Sequence, residues 1–171
     1  ELRATPRPYG SVPRAAAHRV FESLDQGETE RVAGIFFTTD DDDRIVGRWG
    51  VIAPYTHDAH STRTSIDGLN EVTETSRTDE NKGIVRTLLQ DAVIGKGARD
   101  SAAALVVDPL IEHCATYQDE GDWFRRVSKK KNRPLDYREL VVLVGDGNFV
   151  ATLCAAREGD VDVNVLDIFR L

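Results

Sequence analysis

Methionine is absent from the 171-residue sequence, including position 1, and cysteine occurs only twice. The missing methionine leads us to expect that the natural polypeptide extends beyond this sequence. Cys114 and Cys154 form no CxxC pattern, which argues against a zinc or redox motif and favours two buried thiols in a reducing compartment. No apolar run approaches the roughly 20 residues of a membrane-spanning helix. We therefore expect a cytoplasmic protein with no membrane partner.

The sequence also has fewer positively charged than negatively charged residues. The 22 Lys and Arg residues against 29 Asp and Glu give a formal net charge of −7 at pH 7. Nucleic acids and anionic membranes are bound by clustered positive charge. The one basic cluster, at 129–133, is short and typical of a solvated turn. The composition therefore excludes a nucleic-acid partner, while a hydrophobic content of 40% fits a globular domain.

Hydrophobic periodicity predicts strands near both ends of the chain and helices between them. The predicted strands are His18–Ser23, Glu30–Thr39, Arg44–Ala53, Leu110–Tyr117, Arg138–Val144, Phe149–Ala156 and Val161–Leu171. Apolar residues at helical spacing predict a helix from Glu80 to about Val93, with Thr78-Asp79 as its cap. A short second helix is predicted at 101–107. Helices grouped ahead of antiparallel strands indicate an α+β protein with helices on one face of a sheet.

Two acidic or histidine-containing segments raise the question of a metal site. The run Asp40–Asp43 lacks the alternating ligands and the glycine of a calcium loop, so a solvated hairpin turn is the better interpretation. His57, Asp58 and His60 lie in a Thr/Ser-rich connector without an evident further ligand. No glycine-rich phosphate loop is present either. We expect no metal and no cofactor.

An internal repeat relates the two ends of the chain. At a constant offset of 133 residues, the segment from His18 to Thr38 falls on the segment from Ala151 to Leu171. Strand, turn and strand then correspond without a gap, with the turn at 24–27 falling on the turn at 157–160. We expect two related hairpins, with chance agreement between unrelated hairpins as the alternative.

Four short segments, in this order, resemble the SnoaL-like family of polyketide cyclases and predicted aldol-condensation proteins. They are Glu80–Arg86, Leu110–His113, Gly145–Val150 and Leu166–Arg170. The resemblance implies an NTF2-like cone, in which helices pack on the concave face of a curved antiparallel sheet around a mostly apolar pocket. It also implies a small-molecule ligand and no cofactor.

The resemblance also suggests an unusual module order. In the family a last strand of the type Gly-Lys-Ile-Val-Glu-His-Trp-Asp-Val-Ile follows the segment matching Leu166–Arg170, and Asp43–Ile52 resembles that strand. Residues 1–58 would then supply the C-terminal strands of a module, 59–77 a connector, and 78–171 the helices and first strands. A permuted cone, a trimmed tandem and a strand-swapped homodimer are the three arrangements that fit. An uncovered strand edge at Val161–Leu171 would promote aggregation, so we expect it to be covered.

Asp167 is the candidate catalytic base. Alternation along the last strand places it on one face with Val161, Val163, Val165 and Phe169. Burial among apolar neighbours raises the pKa of a carboxyl group towards the range that a general base needs. The alternative is a solvated carboxylate near the strand end.

Further site residues follow from the resemblance. His113 matches the family's strand histidine and would transfer a proton or bind a ligand carbonyl, with a structural histidine bonded to the backbone as the alternative. Trp49, Arg48, Trp123 and Phe169 are candidate ligand contacts, with structural core or interface roles as the alternative. Where the family has His-Trp-Asp, this chain has Arg48-Trp49-Gly50, so a carboxylate of that strand is missing.

Two functions follow from these expectations. The first is a cofactor-independent cyclase or isomerase that transfers a proton on a carbonyl compound, with Asp167 as base and His113 as carbonyl partner. The alternative is a non-catalytic NTF2-like module for ligand binding or dimerisation. The missing carboxylate at Gly50 favours the alternative.

Overall fold

The computed structural model describes residues 2–3, 14–22, 30–39, 42, 44–54, 71–95, 103–106, 110–111, 127 and 135–171. The predicted turn at 24–27, the basic cluster at 129–133 and most of the predicted strand Leu110–Tyr117 lie outside these residues. Leu110 and Ile111 have no regular secondary structure.

The described residues include seven strands and a helical region at 75–94, and Ala103 and Val127 are helical as well. The strands are β1 (Leu2–Arg3), β2 (Arg14–Glu22), β3 (Glu30–Thr39), β4 (Ile45–Pro54), β5 (Leu135–Asp146), β6 (Phe149–Glu158) and β7 (Val161–Arg170). A 3₁₀ turn at Thr75–Arg77 leads into helix α1 (Thr78–Thr87), which continues as a π-helical segment at Leu88–Ile94. The predicted α+β class is confirmed.

The strands form two antiparallel sheets, ordered β1-β2-β3-β4 and β5-β6-β7. Register shifts at Arg138 and Val141 place two bulges in β5, and such bulges bend a strand. The segment resembling the family's last strand, now β4, pairs with β3, while β7 pairs with β6. Among the described residues β4 and β7 share no ladder, although β4 approaches β7 and β1 approaches β5 and β6.

The helical region packs on one face of the β5-β6-β7 sheet. Val85, Leu88, Leu89, Ala92 and Val93 are buried there, as helical spacing predicts for most of them. Their core partners on the sheet are Tyr137, Val150 and Cys154. The opposite face of the sheet carries a second core of Val142, Val144, Ala151 and Leu153. Both faces of this sheet are therefore covered, which accounts for the nearly continuous apolar sequence of β6.

The predicted helix cap at Thr78-Asp79 is wrong. The helix begins at Thr78, preceded by Arg77, which makes no side-chain cap hydrogen bond. The Thr78 hydroxyl instead donates to the Thr75 carbonyl oxygen at 2.8 Å and accepts from the Gly147 N–H at 2.9 Å. The hydroxyl thus joins the helix start to a distant turn, a tertiary contact that local capping rules do not contain.

The turn Gly147-Asn148 between β5 and β6 anchors the helix. Thr73 and Asn148 are joined twice, by Thr73 N–H to Asn148 Oδ1 at 2.8 Å and by Asn148 N–H to the Thr73 carbonyl at 3.0 Å. The buried Asn81 side chain donates from Nδ2 to the Gly147 carbonyl at 2.8 Å. The Leu171 N–H donates to the Asn148 carbonyl at 2.8 Å. One turn therefore fixes the helix entry and the end of β7.

The gapless repeat is not reproduced by the strand register. An offset of 133 residues would place Leu153 opposite Val165, because Val20 lies opposite Val32, but Leu153 lies opposite Leu166. A slip of one residue reverses the face that each side chain occupies. The two hairpins also differ in their connections, since residues 23–29 separate β2 from β3 whereas a two-residue turn joins β6 to β7.

Two turn glycines provide a matched test of the anchoring turn. Gly147 (φ 57°) and Gly159 (φ 58°) share a left-handed conformation, yet a Cβ at Gly147 would overlap the Thr73 carbonyl oxygen while one at Gly159 would meet no atom within 4 Å. We expect Gly159→Ala to cost about 1 kcal/mol of unfolding free energy, and Gly147→Ala about 3 kcal/mol or more. Urea denaturation measures both. Equal losses would show that the turn does not anchor the helix.

Candidate functional site

Asp167 lies on the helix-facing side of β7. Its strand neighbours on that face, Val165 and Phe169, are partly buried and pack against the helix-side core. The strand runs without interruption from Val161 to Arg170, so the alternation used to place Asp167 holds along its length. The start of the strand is more open, with Val161 63% exposed. The carboxylate thus lies on the face of β7 that packs against the helix-side core, between two apolar side chains.

The two neighbouring strands supply polar groups to the same place. From β5, the Tyr137 hydroxyl donates to Asp167 Oδ2 at 3.0 Å, and Tyr137 itself is 2% exposed. On β6, Thr152 lies directly opposite Asp167, and Cys154 lies opposite Val165. We refer to Tyr137, Thr152, Cys154 and Asp167 as the Asp167 cluster. Each of the three strands contributes to it, so the sheet register decides its geometry.

Burial raises the pKa of Asp167 from 3.8 to about 6. The residue as a whole is half-buried, but its carboxyl group is removed from water, which penalises the ionised form. The hydrogen bond from Tyr137 opposes this effect, because it stabilises the carboxylate. In the described part of the chain, the titratable groups next to Asp167 are Tyr137 and Cys154. Burial among apolar side chains therefore determines the proton affinity of Asp167.

Cys154 is fully buried, and its thiol is poorly reactive. Its pKa is raised to about 12, first by burial and then by the negative charge of Asp167, while the Thr152 hydroxyl acts in the opposite direction. Thiolates, not thiols, are nucleophiles. Cys154 therefore acts as a small apolar side chain within the Asp167 cluster, as expected for a buried cysteine.

The Thr152 hydroxyl is fully buried and makes no hydrogen bond of normal geometry. The Cys154 thiol is near enough for the hydroxyl to affect its pKa, but a thiol is a weak partner. A buried polar atom without a partner costs about 1–3 kcal/mol. An unpartnered buried hydroxyl beside a carboxyl group of raised pKa is a combination found at functional sites.

The other predicted site residues are separated from the Asp167 cluster or lie outside the described residues. Phe169 shares the face of Asp167 and packs against the helix-side core. Arg48 is exposed on β4, and Trp49 lies opposite Phe36 in the other sheet. His113 and Trp123 lie outside the described residues. The structure thus brings together Asp167 and Phe169 from the predicted set.

The sequence analysis did not identify Tyr137 or Thr152. A signal for Thr152 was available, since a two-residue turn at Gly159-Asp160 fixes the register that places Thr152 opposite Asp167. Tyr137 had no such signal, because the bulges at Arg138 and Val141 interrupt the register of β5. Its contact with Asp167 depends on three-dimensional curvature that alternation rules do not capture.

Metal-binding and membrane-spanning features are not part of the described structure. Within the described ranges no group of three or more His, Cys, Asp or Glu side chains is placed to hold a metal ion. Asp42, from the four-aspartate run, is exposed, and its Oδ2 atom lies 2.9 Å from Nη2 of Arg44. In the same part of the chain, every helix is too short or too polar to cross a bilayer.

The chain matches no protein-family model, no curated protein and no solved structure.

The buried carboxyl predicts an unusual pH dependence of stability. Because folding raises the Asp167 pKa from 3.8 to about 6, the folded state holds the proton more tightly, and its contribution to stability declines as pH rises from 4 through 6. At about 1.4 kcal/mol for each tenfold change in proton affinity, the full effect is about 3 kcal/mol. We expect Asp167→Asn to stabilise the protein by about 2 kcal/mol at pH 8 and very little at pH 4, measured by urea denaturation.

Asp162 on the same strand is the matched control. Its side chain is 73% exposed, and the Arg157 guanidinium, which hydrogen-bonds to it at 2.9 Å, lowers its pKa. Asp162→Asn therefore decreases stability slightly at pH 8. If Asp167→Asn behaved like this control, with no gain at high pH, the carboxyl of Asp167 would have to be solvated.

The burial of Cys154 predicts slow thiol labelling. In a Cys114→Ser background, we expect Ellman's reagent at pH 8 to label the folded protein at least about a thousandfold more slowly than the urea-unfolded chain. The reason is that a pKa of about 12 leaves few thiolates. Rapid stoichiometric labelling under native conditions would place Cys154 outside the core.

Proposed function

We propose that this protein is a small-molecule pocket protein of the SnoaL-like type that catalyses cofactor-independent proton transfer on a carbonyl compound. The observation that carries the proposal is the Asp167 carboxyl group, desolvated on the helix-facing side of the sheet and hydrogen-bonded by Tyr137 at 3.0 Å. A carboxylate shielded from water is a stronger base than a surface carboxylate. With a pKa of about 6 it is still mostly ionised at pH 7.

The chemistry begins with Asp167 accepting a proton from a carbon next to a carbonyl group. The C–H bond breaks, a carboxyl O–H bond forms, and the electron pair moves onto the carbonyl oxygen as an enolate. In an isomerisation the proton returns at another position. In an aldol cyclisation the enolate carbon attacks a second carbonyl of the same molecule, and Asp167 returns the proton to the new alkoxide. Neither route needs an oxidant, a reductant or a cofactor.

The fold supports the proposal at a coarse level. A bent antiparallel sheet with a helix packed on one face is the core of an NTF2-like cone, and the apolar side chains between helix and sheet suit an organic ligand. In that cone β4 would complete the sheet within one chain or in a strand-swapped homodimer. His113 would contact the carbonyl, and Trp49, Arg48, Trp123 and Phe169 would line the ligand site.

Proton exchange into D₂O tests the proposal without knowledge of the natural substrate. We expect the wild-type protein to accelerate α-proton exchange in a panel of carbonyl compounds from cyclohexanone to ethyl 2-methylacetoacetate, followed by ¹H NMR against a protein-free blank. The rate should rise with pH through about 6, as Asp167 ionises. Asp167→Asn should lose about a hundredfold or more, the usual contribution of a general base. Asp162→Asn, which changes an exposed carboxylate near the start of the same strand, serves as the control.

Tyr137 gives a second, more specific readout. Its hydrogen bond lowers the pKa of Asp167, so Tyr137→Phe should move the midpoint of the pH–rate profile upward and reduce the rate at pH 7. A merely structural tyrosine would lower the rate without moving the midpoint. An unchanged midpoint, or equal exchange with Asp167→Asn and wild type, would rule out Asp167 as the base.

A second candidate function is a non-catalytic module for ligand binding or dimerisation. It is favoured by Arg48-Trp49-Gly50, which provides no carboxylate where the resembling family has one, and by the exposure of Arg48. This function predicts binding of carbonyl compounds, or a dimer in sedimentation, without acceleration of exchange by the wild-type protein.

A further inference from the structure

The helical region changes its winding partway along its length. Helix α1 ends at Thr87, and Leu88–Ile94 continues as a π-helix, in which N–H groups bond to carbonyl groups five residues earlier. The hydrogen bond from the Gly95 N–H to the Gln90 carbonyl oxygen, at 2.8 Å, has this spacing. π-Helices are rare, are mostly a single turn long and occur often at functional sites. A π-helical segment of seven residues therefore needs an explanation.

The amino-acid sequence of this segment favours an α-helix instead. Leucine, glutamine and alanine, which supply four of its seven residues, are good α-helix formers. Apolar spacing likewise predicts one uninterrupted α-helix from Glu80 to about Val93. The π winding therefore depends on packing against the sheet rather than on local preference. A segment held in a winding that its own sequence does not favour has an alternative available when that packing loosens.

Gly95 permits the wide turn that closes the π-helical segment. A Cβ atom at this position would lie 2.6 Å from the Gln90 carbonyl oxygen and 3.1 Å from the Asp91 carbonyl oxygen. The closer contact is with the oxygen that accepts the π-helical hydrogen bond. An α-helical turn uses the carbonyl group four residues earlier, so a side chain at position 95 penalises the π winding in particular.

The π-helical segment lies over the Asp167 cluster. Leu89 and Val93 are fully buried in the same core as Tyr137 and Cys154. Those two residues of the cluster are at most 2% exposed. Water or a small molecule therefore reaches them only when part of the cover moves. Among the described residues, this segment is a part of the cover whose winding and sequence disagree.

We propose that Leu88–Ile94 is a gate that opens by rewinding from a π-helix to an α-helix and admits water and small organic molecules to the Asp167 cluster. A π-helical turn contains more residues than an α-helical turn. Rewinding therefore extends the segment and rotates its C-terminal residues about the helix axis, which moves Val93 and Ile94 off the sheet. Helix α1 stays in place, because Asn81 anchors it to the Gly147 carbonyl. For its purpose this inference rests on the proposed function, although opening itself is measured without a substrate.

Labelling of Cys154 measures the opening of the gate. In a Cys114→Ser background, Ellman's reagent at pH 8 reaches the buried thiol only through an open state. A local opening exposes little surface, so the labelling rate should stay nearly constant at low urea concentrations. Exposure through global unfolding would make the rate rise steeply, because the urea dependence scales with the surface exposed. We expect the nearly constant rate, and a steep rise from the lowest urea concentrations would overturn the gate.

Gly83→Ala and Gly95→Ala are matched variants within the helical region. A Cβ atom at Gly83 would meet no atom within 4 Å, and Gly83 lies in α1, which is α-helical in both states of the gate. Alanine there should stabilise the protein against global unfolding and leave the labelling rate at low urea unchanged. Gly95→Ala penalises the closed winding and should raise that rate about tenfold, without making it more dependent on urea.

Three results would contradict the gate. Gly83→Ala might slow labelling by the factor by which it lowers the unfolding equilibrium constant, in which case global unfolding exposes Cys154. An unchanged rate in Gly95→Ala would show that the π winding does not control access. Faster labelling of Gly95→Ala with a steep urea dependence would show that the variant had only loosened the whole fold.

The gate and the proposed function fail in distinguishable ways. If labelling follows the expected pattern but no carbonyl compound exchanges its α-proton, the gate holds and catalysis fails. If proton exchange depends on Asp167 while Cys154 is labelled only through global unfolding, catalysis holds and the gate fails.

Discussion

The structure depends on the hydrogen bonds that hold the Gly147-Asn148 turn against the chain entering the helix. Thr73, Thr78 and Asn81 all bond to this turn, and through it the helix is held across one face of β5, β6 and β7. The apolar side chains of the helix can then cover the sheet and exclude water from the carboxyl group beneath. Without that cover, Asp167 would have the proton affinity of an ordinary surface aspartate.

Several features were predictable because they depend on local spacing alone. The alternation of β7 placed Asp167 on the apolar face, and helical periodicity predicted the helix whose apolar residues are buried against the sheet. The α+β class followed from the order of these patterns. Period-2 and period-3.6 arguments work here because each element has one face against a single core.

Other features could not be predicted, because they depend on contacts between distant segments. Thr78 fits the sequence pattern of a helix cap, yet its hydroxyl bonds to a turn far along the chain. The bulges at Arg138 and Val141 shift the register of β5 between Tyr137 and the turn that joins β5 to β6, so alternation does not predict the contact of Tyr137 with Asp167. The apparent repeat failed for a related reason, since equal spacing in sequence does not ensure equal register in a hairpin.

The proximity of Cys154 to Asp167 has a consequence for chemical compatibility. A thiolate beside an electrophilic carbonyl adds to it and would leave a stalled covalent adduct. Burial, together with the negative charge of Asp167, raises the pKa of the Cys154 thiol and keeps it protonated, which would prevent this side reaction. The same charge protects the sulfur from peroxides, which oxidise thiolates in preference to thiols. The carboxylate that we propose as a base thus also keeps the neighbouring thiol in its unreactive form.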